Sequence, residues 1–163
     1  MKDVSKSSGR IVAVCISRDK STRKEPVDEA ALEKDLGVVR DAHADVGTHR
    51  QVSLLALDSI EKMKKPGFNP SCGDYAENLT TSGIDLVSLP VGTRLAAGRD
   101  AILEITQIGK KCHTGCAILI QSGSCIMPKE GIFARVVRGG KVRPGDRLTG
   151  LGERDDNPSS TPD

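Results

Sequence analysis

The sequence predicts a mostly β domain, a barrel carrying one or two short helices and long functional loops. Three observations predict it: the apolar runs are short and rich in β-branched residues, side chains alternate with period two along the second half, and Pro and Gly punctuate the runs at close intervals. With 163 residues the chain holds a single domain, expected over 10–151, between polar tails at 1–9 and 152–163.

Ile11 to Ile16 is apolar, bounded by Arg10 and Ser17, and too short for a helix, so it reads as a buried strand. A charged stretch follows, and Pro26 to Leu32 offers the opening of a short helix. Gln51 to Leu57 is a second strand. Asp58-Ser59-Ile60-Glu61 then has the pattern of a capping box, predicting a helix to about Lys65 that Pro66-Gly67 ends. The polar segment through Gly83 is long for a connection, and in compact domains that length marks a functional loop or disorder.

Beyond Leu86 the pattern is strand and turn. Ala101, Leu103 and Ile105 alternate with Ile102, Glu104 and Thr106, the period of a sheet. Ile132 to Val137 and Lys141 to Leu148 flank Gly139-Gly140, which predicts a β-hairpin. Pro90 to Leu95 and Pro144 to Leu148 each place Gly-x-Arg-Leu after a proline, which reads as shared turn chemistry.

Composition narrows function. Phe68, Tyr75 and Phe133 are the only aromatic residues, so aliphatic side chains must fill the core, and the stacking platforms by which single-stranded nucleic acid is held are missing. A net charge of +2 is too nearly balanced for a polyanion binder. The polar start and the brevity of the apolar run after it predict neither export signal nor membrane span, hence a cytoplasmic protein with no nucleic-acid or membrane partner.

Five cysteines, at 15, 72, 112, 116 and 125, are an odd number in a chain read as cytoplasmic, which argues against a disulfide framework. Cys15, inside the first apolar run, reads as a small core residue. Cys112 follows Lys110 and Lys111, and neighbouring positive charge favours the thiolate, the form that attacks sulfur or binds metal. Cys112 is therefore the candidate reactive thiol. Cys116 and Cys125, with Cys112 and His113, supply soft ligands for an alternative zinc site, although one close pair with a single distant partner is not the usual doubled spacing.

Two further segments carry chemistry-bearing residues. Asp41, His43, Asp45, His49 and Arg50 fall within ten residues, a pattern open to metal binding or to a solvated loop. Arg18, Lys20, Arg23 and Lys24 form a basic run that would suit a local anion site. Walker, dinucleotide-binding and Gly-x-Ser-x-Gly patterns are lacking.

Arg50 to Leu55, Glu77 to Ile84, Leu89-Pro90-Val91-Gly92 and Gly131 to Val136, taken in order, resemble the MOSC family, and the similarity runs from about Arg10 to Gly150. MOSC domains are named for the C-terminal part of molybdenum cofactor sulfurases. The resemblance implies a β-rich barrel with a cysteine that carries sulfur or contacts the cofactor. That cysteine would be Cys112, flanked here by Lys110, Lys111 and His113 where the family often has Arg and Pro.

On that resemblance the candidate cofactor-binding residues are Arg23, Lys24, His43, Arg50, Asn78 and Lys111. One expected function is a persulfide carrier, with partners being a sulfur donor such as a cysteine desulfurase and the molybdenum cofactor synthesis or acceptor proteins. Another is a binding module in which Arg23, Lys24 and Arg50 hold the pterin phosphate while Cys112 ligates molybdenum. A zinc- or thiol-stabilised structural domain is the alternative to both. The pyridoxal-phosphate domain of full-length sulfurases has no counterpart, so neither that cofactor nor desulfurase activity is expected of this chain alone.

Overall fold

The computed structural model describes residues 7–17, 24–41, 51–64, 66–67, 69–109 and 130–151. Its strands are β1 (Ser8–Ile16), β2 (Glu25–Val27), β3 (Ala30–Glu33), β4 (Gly37–Val38), β5 (Val52–Ala56), β6 (Leu79–Ser82), β7 (Arg94–Ala97), β8 (Ala101–Ile108), β9 (Ile132–Arg138), β10 (Gly140–Val142) and β11 (Arg147–Gly150). Among the described residues one short helix, α1 (Leu57–Glu61), follows β5, and one 3-10 turn spans Leu86–Ser88.

The main sheet runs β11-β7-β8-β9-β5-β6-β1, and β11 pairs again with β1, which closes a seven-stranded barrel. β2 hangs from the outer end of β1. All neighbours are antiparallel except β5 and β6, whose parallel register sets Leu54 against Leu79. A parallel pair requires a crossover, and here the chain through α1 and the residues before β6 provides it. Strand directions then define two rims. At the upper rim β5, β6, β8 and β11 finish; at the lower rim β1, β7 and β9 finish.

The interior is aliphatic, as the scarcity of aromatic residues requires. Ile11, Leu54, Leu79, Leu103, Ile132 and Leu148 meet in one core cluster. β9 shows how the pleat sorts side chains: Ile132, Ala134 and Val136 belong to that cluster, while Phe133, Arg135 and Val137 alternate to the other face. A register shift between Ile11 and Ala13 turns Val12 outward, leaving it 37% exposed inside an otherwise buried run.

Five expectations are corrected. Pro26–Leu32 is not helical: Glu25–Val27 pairs with β1 and Ala30–Glu33 with β10, so edge pairing wins over a weak helical start. α1 begins at Leu57 behind Ala56 and has no side-chain cap, so Asp58 to Glu61 lies within the helix rather than capping it. The polar stretch before Gly83 contains β6, whose Thr80 and Thr81 are fully buried between β5 and β1. Gly139-Gly140 does not turn a hairpin, because β10 leaves β9 to join β3 and β4 in a separate small sheet, and β11 returns to β1 and β7. Ser8 and Gly9, read from sequence as tail, belong to β1 opposite Thr149 and Leu148.

The two Gly-x-Arg-Leu segments lead into β7 and β11, which are adjacent antiparallel strands. Each turn is held from within: Thr93 Oγ1 donates to Pro90 O at 2.6 Å, and Arg143 N donates to Asp146 Oδ2 at 2.9 Å.

Candidate functional site

The lower rim gathers most of the buried polar chemistry of the described residues. Lys24, just ahead of β2, sends its ammonium to Asp41 Oδ1 at 2.8 Å, and both side chains are wholly enclosed. Lys24 Nζ also donates to Ser17 Oγ at 3.1 Å, and the Ser17 backbone N–H donates to Asp41 Oδ1 at 3.0 Å. Burial draws the Lys24 pKa below its ordinary value, with the Asp41 contact opposing it. The pair ties the start of segment 18–23 to its end and to the start of segment 42–50.

Behind that pair lies Glu77, with no exposed surface. Its carboxylate accepts from the Gly73 and Tyr75 backbone N–H groups at 2.9 and 3.2 Å and from the Thr80 hydroxyl at 2.7 Å. Burial raises its pKa, and these donors counter only part of the rise. Asn78 joins three strands at the same level. Its Oδ1 accepts from Ser53 N and Oγ, and its Nδ2 donates to Cys15 O.

Cys15 is fully buried among these groups, and its thiol is pushed up to about 12 by burial, then by the charges of Glu77 and Cys72. Cys72 is raised too, chiefly by burial, with its contact to the Thr80 hydroxyl opposing. Neither thiol is a ready nucleophile near neutral pH. Gly73 explains how the loop fits so closely: a Cβ there would lie 2.2 Å from Lys24 O and 3.1 Å from Cys15 Sγ.

At the upper rim, the Gly109 N–H donates to Gly131 O at 2.6 Å, so segment 110–129 leaves and rejoins the barrel at one point. Beside it Glu130 accepts from Ser59 Oγ at 2.5 Å and from Lys62 Nζ at 2.8 Å. These bonds tie the return of the chain to α1.

The predicted site residues are thus distributed. Lys24 and Asn78 lie at the lower rim with their polar atoms bonded inside the protein, and the roots of the segments bearing Arg23, His43 and Arg50 are brought to that rim. The segment bearing Lys111, Cys112, Cys116 and Cys125 is rooted at the other. Arg23, His43, Arg50, Lys111 and those three cysteines are themselves outside the described residues. Among the described residues no three His, Cys, Asp or Glu side chains gather as metal ligands, and no helix is long and apolar enough to cross a membrane. Asp41 reads from the sequence as a loop carboxylate, and nothing in local spacing joins it to Lys24, its partner 17 residues away.

A model of the MOSC domain matches residues 41–149. The chain belongs to the MOSC domain family. Solved structures agree in fold. YuaD from Bacillus subtilis superimposes with a TM-score of 0.72 at 17% identity, covering 90% of this chain and 97% of that one. YiiM from Geobacillus stearothermophilus gives 0.67 at 18% identity, over 88% of this MOSC chain and 75% of its own length. YiiM from Escherichia coli gives 0.64 at 18% identity, over 91% and 72%. No curated protein sequence matches the chain.

Proposed function

We propose that this MOSC domain is a carrier of sulfane sulfur, with Cys112 as the accepting thiol and molybdenum cofactor or a metal-sulfur centre as the destination. The observation that carries the reading is the family match over 41–149, which takes in a cysteine preceded by two lysines. The raised pKa values of Cys15 and Cys72 support it by disfavouring both as competing nucleophiles.

In the accepting step the Cys112 thiolate attacks the outer sulfur of a donor protein's persulfide. One S–S bond forms at Cys112 as the donor's S–S bond breaks, the donor leaves as its thiolate, and no net oxidation occurs. Lys110 and Lys111 favour the charged form of the attacking thiol. The donor is proposed to be a cysteine desulfurase, and the setting the cytoplasm.

The molybdenum cofactor of the wider family, when bound, supplies a metal that a cysteine thiolate can ligate. Lys24 and Asn78 do not fit as direct contacts to it, since both are enclosed and their polar atoms are engaged by Asp41, Ser17, Ser53 and Cys15. Their contribution to any such site is positional: they fix the strand ends from which Arg23, His43 and Arg50 depart.

Mass spectrometry after incubation with a cysteine desulfurase and cysteine tests the carrier reading. About one added sulfur on Cys112 is expected, lost in Cys112→Ser and kept in Cys116→Ser. An unmodified Cys112 with several donors would reject the reading. Molybdenum co-purifying in stoichiometric amount would favour the binding module instead, and zinc whose chelation unfolds the protein would favour the structural alternative through Cys116 and Cys125.

A further inference from the structure

We propose that the upper rim is a docking face for a protein partner, and that the element it receives is a cationic segment bearing aliphatic side chains. The inference does not depend on the chemistry of Cys112.

The first support is where apolar surface is left uncovered. Val12, Val87, Val91 and Ile108 are the exposed large hydrophobics among the described residues. Val12 is accounted for by the irregularity in β1; the other three are at the upper rim. Val87 and Val91 are four residues apart, so no more than about 14 Å separates them. The turn carrying Val91 is bonded to β8 through the Gly92 N–H and Ile105 O at 2.8 Å, beside the end of the strand that displays Ile108. Apolar side chains grouped in this way mark interaction surfaces more often than scattered ones do.

The second support is an open groove of about 460 Å³ at this rim, between α1 and residues 83–87. Ile84 and Leu86 contribute its apolar lining, and Val87 stands at its edge. Its charged lining is Asp58, Asp85 and Glu130 against Lys62 alone, a local excess of two negative charges in a chain whose net charge is +2. Lys62 is moreover held by Glu130, so it is Asp58 and Asp85 that offer charge to a visitor. The lower rim shows no such excess: Arg99, Arg138, Lys141 and Arg143 are exposed around it, but Lys141 and Arg143 pair with Glu29, and Asp100 is exposed beside Arg99. Charge complementarity at the groove therefore selects a basic partner segment, while the valines supply apolar contact.

Fluorescence polarisation with the full chain tests this, using a labelled twelve-residue peptide of alternating Leu and Lys and its Leu/Glu counterpart as probes. The Leu/Lys probe is expected to bind, more weakly as salt rises from about 50 to 500 mM. Its Kd should rise about tenfold or more in Asp58→Lys/Asp85→Lys, rise in the milder Val87→Ser/Val91→Ser, and stay unchanged in Arg99→Glu. Each variant is compared at an unaltered thermal midpoint. Equal affinity of the charge-reversed protein, no binding of the Leu/Lys probe to the wild type, or equal binding of the Leu/Glu probe would overturn the proposal. So would a concentration-dependent dimer that Val87→Ser/Val91→Ser abolishes, since the face would then be sealed by a second copy of the chain.

Discussion

Lys24 and Asp41 form an ion pair with no exposed side-chain surface, and the cost of burying both charges is matched only while both are present. Asp41→Ala should therefore destabilise the protein by about 3–5 kcal/mol, by removing the carboxylate that meets the enclosed ammonium at 2.8 Å. The double replacement Lys24→Met/Asp41→Leu should lose less than either single change, because it removes both desolvation costs. Urea denaturation of the three variants measures this, and strictly additive losses would contradict it.

Glu77 makes a second residue-scale prediction, through pH. Its ordinary value is 4.5 and burial raises it in the folded protein, so between those two values the native state keeps a proton that the unfolded chain has released. Its contribution to stability is fully present below 4.5 and is lost as pH rises through the raised native value. Glu77→Gln should flatten that part of the stability-pH curve; an unchanged slope would show that Glu77 does not set it. Cys15 behaves likewise at the alkaline end. Between its ordinary 9.0 and about 12 the unfolded chain gives up the thiol proton and the native state does not, so stability falls as pH rises through that window.

At the scale of elements, β1 passes so close to the end of β6 that position 9 admits no side chain. A Cβ on Gly9 would sit 2.2 Å from Ser82 O and 2.8 Å from Ile84 N, both backbone atoms that cannot swing aside. Gly9→Ala should cost roughly 3 kcal/mol, the upper end for overpacking, and calorimetry should register it as a lowered midpoint. The elements also show what periodicity can and cannot say. β1, β5 and β8 are readable because each buries a continuous or alternating apolar set. β6 is not, since Leu79-Thr80-Thr81-Ser82 is mostly polar and becomes a buried strand only because the backbones of β5 and β1 pair with it on either side. The hairpin expected at Gly139-Gly140 failed for a related reason: a turn-competent dipeptide permits reversal, but β3 offered β10 a better edge.

For the whole molecule the decisive contact is closure. β1 meets β11 through Ser8 with Thr149, Gly9 with Leu148 and Arg10 with Arg147, and without these pairs the sheet has two open edges. Removing residues 1–10 should cost roughly 3 kcal/mol in ladder hydrogen bonds alone, at about 1 kcal/mol each. For a chain of this size that lowers Tm by about 6–12 °C. Calorimetry measures this, and an unchanged midpoint would mean that closure is not what residues 8–10 provide.

The mostly β class, the aliphatic interior and kinship with the MOSC family were legible in the amino-acid sequence alone, because period, composition and ordered short motifs are local properties that survive without knowledge of the partner strand. Tertiary structure alone decided which strands adjoin, that Lys24 turns inward to Asp41, and that the cysteine-bearing segment and the basic segment are rooted at opposite rims. Those outcomes depend on contacts between positions far apart in the chain. The spacing of residues along a strand says which face is buried, but not what comes to bury it.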